Sequence, residues 1–142
     1  MEINKLNENL SVAGQLIPAD IASIAEQGFK TIICNRPDGE AFDQPEFDTI
    51  RQNAEIAGLS VIFMPVLSSG PTEQNIGEFS AALDTAQSPV LAYCRTGTRC
   101  TILWALSQGA KGMPVDDIVS TAANAGYDVS KVAAYISQTQ GS

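Results

Sequence analysis

Four short apolar segments, each followed by a helical pattern, constrain the fold of this chain more than any other feature. The segments are rich in β-branched residues or alternate apolar with polar ones, which is typical of strands. They lie at 9–16, 30–34, 60–66 and 89–93. Because strands that alternate with helices form a mostly parallel sheet with helices on both faces, the sequence predicts an α/β fold.

Capping and turn residues delimit the predicted helices. Pro18 opens the first helix and Gly28 ends it, Gly58 stops the second, and Thr72 is the expected N-cap of the third. The predicted helices lie at 18–28, 45–57, 71–86, 100–110, 115–125 and 129–137. No repeat, low-complexity tract or linker interrupts this order, so we expect one domain over residues 1–142.

The composition narrows the possible functions. The net charge of −8 argues against nucleic-acid partners, because clustered basic side chains bind phosphate backbones. The chain has no histidine, which excludes Ser-His-Asp and Cys-His catalysis and most zinc sites, and we expect no metal or cofactor. No apolar run approaches the ~20 residues of a membrane span, the N-terminus lacks a signal pattern, and three cysteines are too few for a disulfide scaffold. These features predict a cytoplasmic protein without membrane contact.

Three polar loops follow predicted strands, at 34–40, 65–70 and 94–99. Ligands of parallel sheets bind beyond the carboxyl ends of the strands, so we expect these loops to converge on one site. The last loop, Cys-Arg-Thr-Gly-Thr-Arg, holds two of the chain's four arginines.

The loop that begins at Cys94 has the residues of a thiolate nucleophile. Free N–H groups at the start of the following helix favour an anion, and Gly97 lets the chain turn without a Cβ clash. The helix dipole and Arg99 both favour the thiolate, so we expect a lowered pKa of Cys94 and reactivity without a histidine. The alternative is a buried structural cysteine at a tight turn, but the nearby glycine and arginines favour the functional interpretation. The rest of the predicted anion-binding loop is Arg95, Thr96, Gly97, Thr98 and Cys100.

Four segments of the chain, at 13–16, 35–40, 64–66 and 89–106, together resemble the phosphatase-like domain of the bacterial beta-lactamase hydrolase-like family. The resemblance extends from about Leu10 to Tyr135. It implies a fold like that of the dual-specificity cysteine phosphatases, with a four- or five-stranded sheet, Cys94 as nucleophile and Arg99 as the arginine that binds the oxyanion. That domain is found alone or fused to a metallo-beta-lactamase-like partner, which makes such a protein a candidate functional partner.

The spacing of the loop departs from the phosphatase pattern. Cysteine phosphatases have Cys-x5-Arg, whereas this chain has Cys-x4-Arg, which leaves one fewer N–H group for a phosphate. The shorter hexapeptide is similar to that of rhodanese-type sulfurtransferases, which hold a persulfide on the cysteine. The position after the arginine, usually Ser or Thr in phosphatases, is Cys100, which is a weaker hydrogen-bond donor.

The general acid is a second departure. Such phosphatases use an Asp from a loop one helix upstream, but the matching segment at 65–74 offers only Glu73. Asp38 and Glu40 are alternatives at the same sheet edge. Each acid also has a structural interpretation, Glu73 as a charge at a helix N-terminus and Asp38 as a turn former. Arg36 directly follows a strand and is either an accessory residue or part of a surface ion pair with Asp38 or Glu40.

Two further thiols raise the possibility of redox chemistry. Cys34 ends a strand expected to neighbour that of Cys94, and a low-pKa thiolate beside a thiol is the arrangement of a reversible disulfide. The alternative is that Cys34 is a small buried hydrophobe. Cys100 is expected to be a buried helix residue rather than a resolving thiol.

These residues support three functional hypotheses. The first is sulfane-sulfur transfer, in which Cys94 takes sulfur from thiosulfate or a persulfide and passes it to a thiol acceptor. The short loop and the missing Asp favour it, because sulfite leaves as an anion without a proton donor. The second is hydrolysis of a phosphomonoester through a phosphocysteine. The third is a non-catalytic module that binds an anion or a partner, although such modules usually lose the nucleophile or the arginine.

Overall fold

The structure, a computed structural model, describes residues 1–140 as a five-stranded sheet covered by helices. The strands are β1 (Ile3–Lys5), β2 (Leu10–Ala13), β3 (Thr31–Cys34), β4 (Ser60–Phe63) and β5 (Val90–Tyr93). The helices are α1 (Ile21–Glu26), which a short 3-10 turn precedes at Pro18–Asp20, α2 (Phe47–Ile56), α3 (Glu73–Thr85), α4 (Thr98–Ala110), α5 (Val115–Asn124) and α6 (Ser130–Gln140).

The sheet is mostly parallel, as predicted. Its strand order is β1-β2-β5-β3-β4, and only β1 runs antiparallel to its neighbour. All four predicted strands are present. The sequence did not predict β1, because it has only three residues and its return to β2 depends on one turn, in which Asn7 Oδ1 accepts hydrogen bonds from the N–H groups of Asn9 and Leu10.

Helices cover both faces of the sheet, which confirms the predicted layers. On one face α1 and α2 bury Ile24 and Ile50 against the strands. On the other face α3 to α6 form a larger core around Phe79, Trp104 and Ile118. Since side chains alternate along a strand, Tyr93 at the end of β5 belongs to the core under α1 and α2, whereas Cys94, the next residue, belongs to the larger core.

Among the element ends that differ from the prediction, two bear on the site. β4 ends at Phe63, three residues before the predicted end, because its regular pairing with β3 ends at Cys34. Beyond that pair, the N–H groups of Met64 and Val66 still donate to the carbonyls of Cys34 and Asn35. α4 begins at Thr98, two residues before the predicted start, because Gly97 completes the turn with a φ of 90° and acts as the N-cap. Arg99 therefore lies in the first turn of a helix rather than in a loop.

Over residues 1–140, no helix combines the length and the apolar character that crossing a bilayer requires.

Candidate active site

Cys94 directly follows β5, the central strand of the sheet. Its N–H donates to the carbonyl of Ala13 at the end of β2, at 3.3 Å. On the other side, the N–H of Asn35 after β3 donates to the carbonyl of Tyr93 at 2.8 Å. The cysteine is thus fixed between two strand ends, at the carboxyl edge where a parallel sheet binds ligands.

The loop after Cys94 turns back onto the cysteine sulfur. Gly97 has a φ of 90°, and its N–H donates to Cys94 Sγ at 3.1 Å. α4 then begins at Thr98, so the free N–H groups of its first turn lie beside the same sulfur. This arrangement is a cradle for a negative charge on sulfur or on a bound anion.

The cradle lowers the pKa of Cys94 to about 5. The largest cause is a hydrogen bond from the Cys100 thiol, and burial opposes it by penalising the thiolate. The backbone N–H groups of Cys100, Thr96 and Gly97 add to the lowering. The direction is the one expected from the sequence, but the principal donor is Cys100 rather than Arg99.

Cys100 is suited to donate because it stays protonated. It is fully buried at the start of α4, and burial raises its own pKa well above the ordinary value of a thiol. A protonated thiol beside a thiolate donates its single hydrogen to the charged sulfur. Cys100 is therefore part of the site, in the helix where the sequence placed it.

Arg99 reaches across the sheet edge to the other two loops that were expected to converge here. Its Nη1 and Nη2 form a fork on the carboxylate of Glu40 at 2.8 and 2.7 Å, and Nη1 also donates to the carbonyl of Val66 at 2.9 Å. The structure thus brings the loops at 34–40, 65–70 and 94–99 together. In this state the guanidinium binds a carboxylate of the protein itself.

Arg36 completes an ion-pair network on Glu40. It is buried, and it donates from Nε to Glu40 Oε1 at 3.0 Å and from Nη1 to Gln15 Oε1 at 2.9 Å. Hydrogen bonds first from Arg99 and then from Arg36 hold the pKa of Glu40 below its ordinary value, although partial burial opposes them. Glu40 is therefore an anion that orders two arginines, and it is a poor proton donor.

Asp38 and Glu73, the other carboxylates considered from the sequence, lie outside the loop. Asp38 Oδ1 accepts from the N–H of Phe47 at 2.7 Å and so satisfies a free donor at the start of α2. Glu73 is the exposed first residue of α3 and lines a groove between α3, α4 and α6. Within the described residues, neither carboxylate hydrogen-bonds to a residue of the loop.

The remaining loop residues lie at its outer rim. Arg95 and Thr96 are exposed, and the hydroxyl groups of Thr96 and Thr98 share a hydrogen bond of 2.9 Å. The Arg95 backbone carbonyl accepts from the N–H of Gln15 at 3.2 Å, which attaches the loop to the segment after β2.

Cys34, considered above either as a redox partner or as a small buried hydrophobe, lies on the other face of the sheet from Cys94. The register pairs Cys34 with Tyr93, and both belong to the core under α1 and α2, whereas Cys94 and Cys100 belong to the opposite core. The Cys34 thiol donates to the Arg36 carbonyl at 3.3 Å, and burial raises its pKa to about 11. Cys100, and not Cys34, therefore shares a core with Cys94 and lowers its pKa.

Tyr127, which follows α5, is a residue of the site that no sequence pattern predicted. Its hydroxyl donates to the carbonyl of Thr96 at 3.0 Å and accepts from Asn4 Nδ2 at 3.1 Å. Tyr127 lies 31 residues after Thr96, and no local pattern marks it. Only its tertiary contact with the loop identifies it.

The chain is similar to proteins of one family. The profile of the family described as "Beta-lactamase hydrolase-like protein, phosphatase-like domain" matches residues 2–111. Beta-lactamase hydrolase-like proteins of Xylella fastidiosa (strain Temecula1) and Agrobacterium fabrum are 35% and 37% identical to the chain and cover 96% and 91% of it. The chain spans about a third of the length of these curated relatives, 32% and 30% respectively.

Solved structures share the architecture. A candidate phosphatase of Neisseria meningitidis Z2491 is 42% identical and has a TM-score of 0.88. The match covers 97% of this chain and 98% of the Neisseria protein's chain. The core catalytic domain of a PP-IP phosphatase of S. cerevisiae, in complex with citrate, is 11% identical, with a TM-score of 0.72 over 95% of this chain and 83% of its own. At that identity the likeness concerns the fold, which is that of the cysteine phosphatases, as the resemblance implied.

Proposed function

The chain belongs to the family of phosphatase-like domains of beta-lactamase hydrolase-like proteins, and we propose that it is a cysteine-dependent phosphatase that cleaves phosphomonoesters through Cys94. The observation that carries the proposal is the Cys94 sulfur, whose pKa is about 5 inside a cradle of N–H donors at the end of the central strand. A thiol with that pKa is a thiolate at neutral pH and needs no histidine to activate it. Family membership and the solved relatives favour this hypothesis over sulfur transfer, which the short loop and the missing Asp favoured.

In the proposed reaction the Cys94 thiolate attacks phosphorus. An S–P bond forms, the ester P–O bond breaks, and the leaving oxygen departs with the electron pair. Water then cleaves the phosphocysteine, which releases inorganic phosphate and restores the thiolate. The N–H groups of the loop and the N-terminus of α4 stabilise the peripheral oxygens, and Arg99 exchanges Glu40 for the substrate.

The proton supply limits the substrates of this reaction. Glu40 is held as an anion by two arginines, and Asp38 is used at the start of α2. A leaving group that needs no protonation therefore reacts best, because an acidic phenol departs as the phenolate. We expect aryl phosphates of acidic phenols to be cleaved much faster than alkyl phosphates.

A series of aryl phosphates with phenols of increasing pKa tests this proposal. The expected result is phosphate release that falls steeply along the series and disappears in Cys94→Ser, with a phosphocysteine detected by intact mass after rapid acid quench. Activity that persists in Cys94→Ser, or a rate indifferent to the leaving group, would contradict the mechanism.

Sulfane-sulfur transfer is the second candidate, and the same lack of a proton donor favours it. The Cys94 thiolate would attack the outer sulfur of thiosulfate, the S–S bond would break, and sulfite would leave with the electron pair. An acceptor thiolate would then take the outer sulfur from the Cys94 persulfide and restore the Cys94 thiolate. Neither step requires a general acid.

The two candidates are separated by the adduct that Cys94 carries. Incubation with thiosulfate, followed by intact mass, would add about one sulfur atom to the wild-type protein and none to Cys94→Ser. Glutathione would then remove the added mass and become a persulfide. A stable sulfur adduct together with no phosphate release from any aryl phosphate would replace the phosphatase proposal with this one.

A further inference from the structure

One peptide unit of the anion-binding loop has partners on both of its sides. The carbonyl of Thr96 and the N–H of Gly97 belong to the same peptide bond. In a trans peptide these two groups point in opposite directions. Here the N–H donates inward to Cys94 Sγ at 3.1 Å, and the carbonyl accepts outward from the Tyr127 hydroxyl at 3.0 Å.

Tyr127 is itself held in place from two directions. Its backbone N–H donates to the carbonyl of Ala122 at 2.9 Å, and Gly126, with a φ of 98°, makes the turn that leads to it from α5. Its hydroxyl accepts from Asn4 Nδ2 at 3.1 Å, so the single hydroxyl hydrogen is free for the Thr96 carbonyl. These contacts hold the Tyr127 hydroxyl with its hydrogen directed at the Thr96 carbonyl.

The loop and the phenol fit closely. A Cβ at Gly97 would collide with the Tyr127 hydroxyl oxygen and ring. The phenol lies directly against the peptide whose other side faces the nucleophile. A rotation of that peptide would break both hydrogen bonds at once.

We infer that Tyr127 is a positioning residue, whose hydroxyl fixes the Thr96–Gly97 peptide so that the Gly97 N–H points at the Cys94 sulfur. Tyr127 lies beyond residues 2–111, the part of the chain that the family profile matches. Its effect on chemistry passes through the thiolate, because a correctly aimed N–H stabilises the charged form of Cys94. The inference rests on the proposed role of Cys94 as the reacting thiol, whichever electrophile it attacks.

The test measures how Cys94 ionises in Tyr127→Phe, which keeps the ring and removes only the hydroxyl. The pH profile of alkylation by iodoacetamide and the ultraviolet absorbance of the thiolate both report this ionisation without a substrate. Cys34 and Cys100 contribute little below neutral pH, because the pKa of each is raised. If the pKa of Cys94 rises from about 5 toward about 6, alkylation near pH ~5.5 falls about threefold, whereas the rate above pH ~8 is unchanged.

Tyr135→Phe is the matched control. Tyr135 is an exposed tyrosine of α6 that lines the groove away from the loop, so its profile should follow that of the wild type. A second measurement, the amide proton shift of Gly97, should titrate with Cys94 in the wild type and lose most of that response in Tyr127→Phe. Because the shift reports only folded molecules, it stays informative even if the variant is less stable.

The outcomes separate this inference from the proposed function. An unchanged profile and an unchanged Gly97 titration in Tyr127→Phe would overturn the positioning role, and so would an equal change in Tyr135→Phe. A wild-type Cys94 that ionises only near the ordinary pKa of a thiol would instead remove the basis of the proposed function.

Discussion

The Cys100 thiol donates to the Cys94 thiolate and is the largest cause of its low pKa. Cys100→Ala removes this donor, whereas Cys100→Ser replaces it with a stronger one. We therefore expect the pKa of Cys94 to rise in Cys100→Ala and to stay low in Cys100→Ser. The pH dependence of alkylation should move upward only in the alanine variant, and reactivity near pH ~6 should fall severalfold.

Cys34→Ala is the control for this prediction. Cys34 is a buried thiol of the same size, but the register places it on the other face of the sheet. Its removal should leave the ionisation of Cys94 unchanged. An equal upward shift in Cys34→Ala and Cys100→Ala would show that general loosening of the core, and not a specific hydrogen bond, controls the thiolate.

Arg95 and Arg99 lie four positions apart in the sequence, but they make different contacts. The Arg99 guanidinium forms a fork on Glu40 at the sheet edge, while Arg95 is exposed at the rim. A lysine cannot reproduce a fork, because it presents a point charge. We expect Arg99→Lys to lower kcat/KM about tenfold or more and Arg95→Lys to lower it less than about threefold.

The arginine series has a matched reference in Arg51→Lys. Arg51 makes surface ion pairs within α2, far from the loop in the chain, and its replacement should leave kcat/KM unchanged. Equal losses in Arg99→Lys and Arg95→Lys would contradict the assignment of Arg99 as the arginine that holds the anion.

At the scale of elements, the junction between the loop and α4 depends on Gly97. Its φ of 90° is unfavourable for any residue with a Cβ, by about 1–2 kcal/mol, and a Cβ would also collide with Tyr127. Gly112 has a similar φ of 94° but open space around it, so Gly112→Ala isolates the free-energy cost of the backbone conformation. Chemical unfolding should show a loss of about 1–2 kcal/mol in Gly112→Ala and about 1–3 kcal/mol more in Gly97→Ala.

Activity gives a second comparison for the glycine pair. Gly97→Ala should lose most of its turnover and the low pKa of Cys94, since the N–H that faces the sulfur is displaced. Gly112→Ala should keep both, because it lies at the far end of α4. Equal losses of stability in the two variants would show that Tyr127 moves away from the new Cβ at position 97 without a loss of folding free energy.

Local signals were enough to predict most elements. The N-cap of α3 was predicted from Thr72, and Thr72 Oγ1 accepts from the N–H of Asn75 at 3.1 Å. The start of α4 was predicted two residues late, because the polarity of Thr98 and Arg99 resembles that of a loop. The physical boundary is the positive φ of Gly97, after which both residues adopt helical backbone angles.

At the scale of the whole molecule, the contacts that complete the site join distant segments. Parallel strand order was enough to predict that three loops meet at one edge. It could not predict that Arg99 binds Glu40, 59 positions away, or that Tyr127 supports Thr96. Those pairs depend on side-chain direction and on the packing of α5, neither of which leaves a periodic signal in the sequence.

The ionisation of Cys94 also couples the site to the stability of the whole fold. Its pKa is about 5 in the folded protein and about the ordinary 9.0 in the unfolded chain. Between these values the unfolded chain binds a proton that the folded protein does not, so the free energy of unfolding rises with pH. The stabilisation is complete above pH 9 and is lost as the pH falls through 5.

Cys94→Ser isolates this contribution, because a serine hydroxyl does not ionise in the same range. We expect the stability of the wild type relative to Cys94→Ser to increase with pH, by up to about 1 kcal/mol per pH unit between the two pKa values of Cys94. Urea unfolding of both proteins at several pH values measures it, and Asp and Glu titrations largely cancel in the difference. Cys34, whose pKa is raised to about 11, acts with the opposite sign above pH 9 but is common to both proteins. A difference that stays flat from pH ~6 to ~8 would mean that the folded protein keeps Cys94 protonated, and the thiolate would then have to form only when substrate binds.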